Sequence, residues 1–341
     1  MTRTVLVLHP GALGDVLLAL PAMRRLHARH PRHQFHLCAG EAVARLLTDC
    51  GIVGRWWSID GNACAALFAG TTPVAGQMKD WLARCDAVVA WVKDEQGSLA
   101  AALRRCGVQD VRICSPFSRS LTAKHQSDRF LETIGEQPLN PSSGALVELP
   151  DSLMARGRTC LRETGVDVDR PVVVLHPGSG SLHKCVGPEI LAAVIEGLRN
   201  EGAVPLILEG PADRTTVVDL LERGGTKLVV LRGLDLMTLA GVLAQVQLFV
   251  GQDSGVTHLS ALLGTRTIVF FGPTDPERWA PIGSHIEILR GPSCSCPDWQ
   301  AVSRCIEKPC LGLSPEAILT LCRTQLSMAK ISRQASHAPC L

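Results

Sequence analysis

One phrase occurs twice in this chain. VLVLHPGALGD begins at Val5 and VVVLHPGSGS begins at Val172, the two aligned through Leu-His-Pro-Gly so that His9 matches His176. Each copy is a β-branched apolar run that stops at a Pro-Gly turn and is followed by helical spacing. An apolar run without polar alternation reads as a strand buried on both faces, the mark of a parallel sheet covered by helices. A chain of 341 residues is long enough for two domains of ordinary size. The repeat therefore predicts two doubly wound sheets, each opened by the same strand and turn.

The rest of the pattern agrees. In the first half, strands are expected at 5–8, 34–38, 87–91 and 111–114. Val16, Leu17, Leu20, Met23 and Leu26 mark a helix that Pro21 should kink. In the second half, short apolar runs at 172–175, 205–208, 228–231, 248–250 and 267–271 alternate with helical segments at 189–201, 214–223, 235–244 and 254–263. Strict β–α alternation is the signature of a doubly wound α/β sheet. A Pro- and Ser-rich linker over 137–151 precedes a helix at 152–164. The division expected is 1–150, 151–330 and a tail at 331–341. Two such domains facing each other would set their strand-end loops across a cleft, where ligands of these sheets bind.

Composition narrows the partners. Hydrophobic residues make up 46% and charged residues 19%, which argues against global disorder. A net charge of +2, no Tyr and 4% aromatic residues offer neither an electrostatic nor a stacking case for nucleic acid. The first apolar run is too short for a signal-peptide core, and the stretch 237–250 is broken by Thr238, Gln245 and Gln247 and cannot span a bilayer. A soluble, cytoplasmic protein is expected. In a reducing compartment most of the fourteen cysteines should be free thiols, as the scattered Cys38, Cys50, Cys64, Cys85, Cys106, Cys114 and Cys160 suggest. Cys294, Cys296, Cys305 and Cys310 follow C-x-C-x8-C-x4-C. Four thiolates suit a structural zinc or iron, but the second pair is too open for the usual two-dyad signature. Free thiols are the expectation there, and no metal is assigned. The basic run 23–36 reads as a solvated helix end or as a contact for an anionic surface.

Neither Pro-Gly loop is GxGxxG, and GxxxxGK[ST] does not occur, so dinucleotide and P-loop chemistry are disfavoured. The most informative segment is LFVGQDSGVTHLSALLG, 248–264. Here a strand runs into a polar turn, and Asp253 or Ser254 caps a helix closed by Gly264. Free N–H groups at Ser254, Gly255 and Val256 would form an anion site, with His258 one turn on. Asp-Ser before a helix is equally ordinary capping. Thr274, in the following GPTDP loop, can add a hydroxyl. Lys184, in the loop after the repeated strand, is either a surface residue or the cation that a diphosphate leaving group requires. Asp15, at the start of the first helix, is either a cap or a general base.

Taken together, GDVLLALPA (14–22), HPGSGS…K (176–184) and GQDSGVTHLSALLG…FFGPTDP (251–276) resemble glycosyltransferase family nine, the lipopolysaccharide heptosyltransferases. The resemblance implies the GT-B architecture, two facing Rossmann-like domains with a cleft between them, the acceptor on the N-terminal one and the nucleotide sugar on the C-terminal one. It implies a catalytic base at Asp15 and a phosphate-neutralising Lys184. Donor contacts would fall on Gly14, Ser179, Asp213, Asp253, Ser254, Gly255, His258 and Thr274. Asp213 stands where the family often has Glu. Pro10-Gly11 replaces a Ser found in many members, and the aromatic often following the lysine is missing from KCVGPE. The implied reaction is inverting transfer, most readily of heptose from ADP-heptose, to a lipid-linked or core-oligosaccharide acceptor at the inner membrane, with no metal cofactor. The alternatives are a nucleotide-sugar epimerase of the same fold, or a relative that binds without catalysis.

Overall fold

The computed structural model describes residues 3–71, 77–138, 146–224, 228–283 and 285–336. The chain divides into two compact units, Met1–Asn140 and Pro141–Leu341. Of the linker read at 137–151, residues 139–145 lie outside the described set. The tail read at 331–341 begins inside the helix Pro315–Ser336, and its remainder is not described.

Unit one holds the strands β1 (Thr4–Leu8), β2 (Gln34–Ala39), β3 (Arg55–Ser58), β4 (Cys85–Ala90) and β5 (Asp110–Ile113), in the order β3-β2-β1-β4-β5. Unit two holds β6 (Val172–His176), β7 (Val204–Glu209), β8 (Val229–Arg232), β9 (Leu248–Gln252), β10 (Thr267–Phe271) and β11 (Ile286–Arg290), in the order β11-β10-β9-β6-β7-β8. Every pairing is parallel. Both orders share one logic: the opening strand pairs with the second strand on one side and with the fourth on the other. β1 and β6 therefore occupy equivalent places beside the point where the strand order reverses. Both are buried along their full length, as an uninterrupted apolar run requires.

Sequence reading missed β3 and β11. Both are edge strands, half-exposed on most of their residues, so RWWS and IEILR lack the apolar continuity that reveals central strands. The helix expected to kink at Pro21 is instead two helices, Leu13–Leu18 and Leu20–Arg29, joined at Ala19. Pro21 lies in the first turn of the second helix, where its missing N–H has no intrahelical partner to lose. The basic run 23–36 presents Arg24, Arg25 and Arg29 outward, while Met23 and Leu26 are buried. Unit two is closed by the helix Pro315–Ser336, whose Ile318, Leu319 and Cys322 join the core under β6, β9 and β10. No described helix is long and apolar enough to cross a membrane.

Candidate active site

In an open parallel sheet, ligands bind outside the carboxyl ends of the strands, at the reversal of strand order. In unit two that place lies between β6 and β9, where His176 is in register with Gly251. The loops after these two strands and after β10 carry most of the residues read from sequence. They meet on Asp253.

Asp253 follows β9 directly, its N–H donating to Phe270 O at 3.1 Å. Its Oδ2 accepts from Lys184 Nζ at 2.9 Å and from Thr274 Oγ1 at 2.8 Å. Its carbonyl accepts from Ser179 Oγ at 2.6 Å. The Asp253 side chain is 7% exposed and that of Lys184 is 24% exposed, so the carboxylate anchors from below while the ammonium reaches solvent. Lys184 is held in place by its own segment. Ser181 caps the short 3-10 turn Leu182–Lys184, and Val186 N–H donates to the buried Gln252 Oε1 at 3.2 Å.

Ser254 occupies the N-cap position of the helix Gly255–Leu262 but makes no side-chain cap hydrogen bond. Its hydroxyl is engaged instead with Thr257 Oγ1 at 3.0 Å and His176 Nδ1 at 3.3 Å. The helix start is thus left with its N-terminal N–H groups uncapped by that hydroxyl, the condition for an anion site. His258 is buried in the next turn, its N–H donating to Ser254 O at 3.3 Å.

Beneath this surface lies a buried pair that the sequence did not announce. His176 Nε2 lies 2.8 Å from Asp213 Oδ2, both side chains 6% exposed. Gly210 N–H donates to the same oxygen at 2.9 Å. Burial opposes ionisation of Asp213, but the bond and charge of His176 and the Gly210 N–H hold its carboxyl below the usual value. A Cβ on Gly178 would fall 1.7 Å from Asp213 Oδ1, so only glycine lets the β6 loop pass over this carboxylate. The chain Asp213–His176–Ser254–Thr257 links the loop after β7 to the helix start. The second copy of the repeated phrase was the available signal, because it places a histidine at the end of a buried strand.

Unit one presents a different set. Asp15 lies in the first turn of Leu13–Leu18, Gly14 just before it, both half-buried. Asp15 Oδ2 accepts from Ala12 N–H at 3.2 Å, so the capping reading is realised in the structure. His9 Nδ1 accepts from Gly11 N–H at 3.0 Å, and the imidazole sits between Trp91 and Phe130, with ring centroids 5.8 Å and 5.2 Å away. Burial pushes His9 down to about 4, against its own backbone hydrogen bond.

Residues 140–308 match the model of glycosyltransferase family 9 (heptosyltransferase). Lipopolysaccharide heptosyltransferase 3 of Escherichia coli (strain K12) is 25% identical over 293 residues, which cover 79% of this chain and 82% of that protein. The crystal structure of a family 9 glycosyl transferase from Veillonella parvula superposes with a TM-score of 0.79 at 18% identity, covering 96% of this chain and 98% of that one. E. coli ADP-heptose lps heptosyltransferase II gives a TM-score of 0.73 at 15% identity, with 96% and 99% covered. Both likenesses are of fold: two Rossmann-like parallel-sheet units, the GT-B architecture. On the match over residues 140–308 and on a relative spanning most of its length, the second unit carries the glycosyltransferase family 9 (heptosyltransferase) module, and the chain is a glycosyltransferase.

Proposed function

We propose that the protein is an inverting glycosyltransferase that moves heptose from ADP-heptose to a lipopolysaccharide-core or related glycan acceptor. The observation that supports this reading is the convergence on Asp253 of a partly exposed lysine, a hydroxyl and an uncapped helix start. A cation beside backbone N–H groups compensates a departing diphosphate without a divalent metal. The donor nucleotide is assigned to unit two and the acceptor to unit one, and the heptosyltransferase relatives favour ADP-heptose as donor.

In the proposed step the acceptor hydroxyl attacks the anomeric carbon as the bond to the diphosphate breaks. The electron pair of that bond leaves with the diphosphate, where Lys184 and the Gly255 helix start stabilise it. Asp15 takes the hydroxyl proton. A carboxylate is a far weaker base than an alkoxide, so the proton moves late, once the oxygen is bonded to an oxocarbenium-like centre. His176 and Asp213 act as positioning residues, fixing the hydroxyl of Ser254 at the helix start. A lipid-linked acceptor would bring the protein to the cytoplasmic face of the inner membrane.

The test pairs binding with turnover. ADP should raise the melting temperature more than UDP or GDP, since a ligand at a hundred times its Kd stabilises by about 2.7 kcal/mol. ADP-heptose should release ADP only with acceptor present, and without added magnesium or manganese. Acceptor-independent release of nucleotide would favour the epimerase reading, and the absence of any nucleotide response would remove the donor assignment.

A further inference from the structure

Between β11 and the 3-10 turn Pro309–Leu311 the chain makes an excursion in which the helix Trp299–Arg304 is the regular element. Little of it is buried: Val302, Cys310 and Leu311 are, whereas Trp299 is 48% and Ile306 94% exposed. Its ends are nonetheless drawn tightly together. Gly291 N–H donates to Cys310 O at 3.0 Å, and a Cβ on Gly291 would lie 2.6 Å from Pro309 O. Lys308 holds φ of 42°, the left-handed region, which side-chain-bearing residues avoid. So small a buried area does not hold a loop in such a conformation, and small apolar cores are commonly supplemented by a covalent or metal staple.

Four cysteines sit in this excursion. The sulfurs of Cys294, Cys296 and Cys305 all lie within 4.8 Å of one another, with Cys294 and Cys296 at 2.9 Å. The buried Cys310 thiol neighbours those of Cys294 and Cys305. In a tetrahedral thiolate site with metal–sulfur bonds of about 2.3 Å, neighbouring sulfurs are about 3.8 Å apart, within the 4.8 Å limit that the three sulfurs share. The other close thiol pair, Cys38 and Cys64 at 2.9 Å, lies inside the core of unit one and has no third sulfur grouped with it among the described residues.

We propose that Cys294, Cys296, Cys305 and Cys310 bind one structural zinc or ferrous ion as a tetrathiolate site. Binding converts four thiols to thiolates and releases four protons, so the site carries two net negative charges. The open spacing between Cys305 and Cys310 is bridged by the left-handed Lys308, which turns the chain back so that Cys310 reaches the cluster. The ion would also brace the donor loops, a consequence that rests on the function proposed above. Lys308 Nζ donates to Leu182 O at 2.9 Å, in the turn that carries Lys184. Leu311 packs on Gly272, where a Cβ would lie 2.7 Å from its Cδ2, at the start of the loop that carries Thr274.

The full chain, purified under reducing conditions and equilibrated with zinc, should retain about one equivalent after desalting. Cobalt in its place should show the sulfur-to-cobalt charge transfer and the visible bands of a tetrahedral thiolate complex. Cys296→Ser and Cys305→Ser should each lose stoichiometric metal and alter the cobalt spectrum, while Cys160→Ser should not. Absence of bound metal in the reduced wild-type chain would overturn the site, as would a disulfide among these cysteines in the freshly purified protein. Both readouts use the unmutated chain, so a variant that fails to fold does not decide the outcome. Removing the metal should reduce the melting shift produced by ADP. A shift that persists unchanged would overturn the bracing role. No ADP response even with metal bound would count against the donor assignment and not against the metal site.

Discussion

His9 and His176 end equivalent strands in the same four-residue phrase, yet the two units use them differently. In unit one the imidazole is packed between Trp91 and Phe130, kept neutral by burial, and hydrogen-bonded only to the turn it belongs to. In unit two it is paired with the Asp213 carboxylate and reaches Ser254 at the start of the next loop. The difference arises downstream of the phrase. After β1, the four residues His9 to Ala12 lead directly into a helix whose first turn presents Asp15. After β6, a longer segment crosses Gly178 and ends on Lys184. One backbone device thus delivers a carboxylate in one unit and a cation beside a helix start in the other.

The largest expected effect tests whether that contrast is chemical. Asp15→Asn keeps an oxygen for Ala12 N–H, now accepted at 3.2 Å, so stability should move by less than the roughly 1 kcal/mol typical of a lost cap. Turnover should fall by about 100-fold to 10,000-fold, the range for loss of a general base. Nucleotide affinity should hardly move, because all the proposed donor residues except Gly14 belong to the other unit. A chain that loses stability but keeps its rate would show that Asp15 is only a cap. Lys184→Ala addresses the other unit. It should weaken ADP binding and slow turnover by about 100-fold to 1,000-fold, because the departing charge loses its cation and Asp253 keeps only the Thr274 hydroxyl on its carboxylate. Steady-state rates at saturating and limiting donor that match the wild type would remove Lys184 from the mechanism.

The repeated strand and turn made the fold legible from sequence because central parallel strands are buried on both faces and so read as near-continuous apolar runs. The β–α alternation named the strands around β1 and β6 but not their order, and β3 and β11 escaped because their residues are partly exposed and lack a continuous apolar run. The site was legible where chemistry is local. Lys184, Asp253 and Thr274 were each named from their own loops, and the structure groups them within hydrogen-bonding distance. Sequence read Asp253 as a possible helix cap, but its carboxylate is taken by Lys184 and Thr274 instead. The His176–Asp213 pair was not legible as a pair. Its partners lie on loops after different strands, and nothing in either local pattern encodes the approach.

Acid should separate the two units. His9 and His36 are both held down to about 4, each by burial first, with Arg55 adding to the effect on His36. Such a group binds more protons unfolded than folded between its ordinary value of 6.5 and 4. Unit one therefore has its full stability above 6.5 and loses it as pH falls through that window, by about 3 kcal/mol for His9 alone. Asp213 has its pKa lowered, so its contribution is present above the ordinary carboxylate value and is lost only as pH falls below it. Hydrogen exchange at pH 7 and pH 5 should show protection falling first on β1, β2 and β4. Equal loss over β6 and β9 would mean that the two histidines are not what distinguishes the units.

The smallest predicted effect is also the most local. Thr274 contributes a single hydroxyl to Asp253 Oδ2, beside the Lys184 ammonium that shares the same oxygen. Thr274→Ala should cost about 1 kcal/mol, the typical net worth of one such hydrogen bond, and Thr274→Ser should restore most of it. Because the hydroxyl orients the carboxylate and the carboxylate orients Lys184, the loss should appear in the donor KM before it appears in stability. In unit one the Asp15 carboxylate accepts from the backbone N–H of Ala12 in its own turn. If Ala and Ser behave alike and neither changes the donor KM, Asp253 is held by Lys184 alone. The proposed anion site would then rest on two groups, the lysine and the helix start, rather than on three loops acting through one carboxylate.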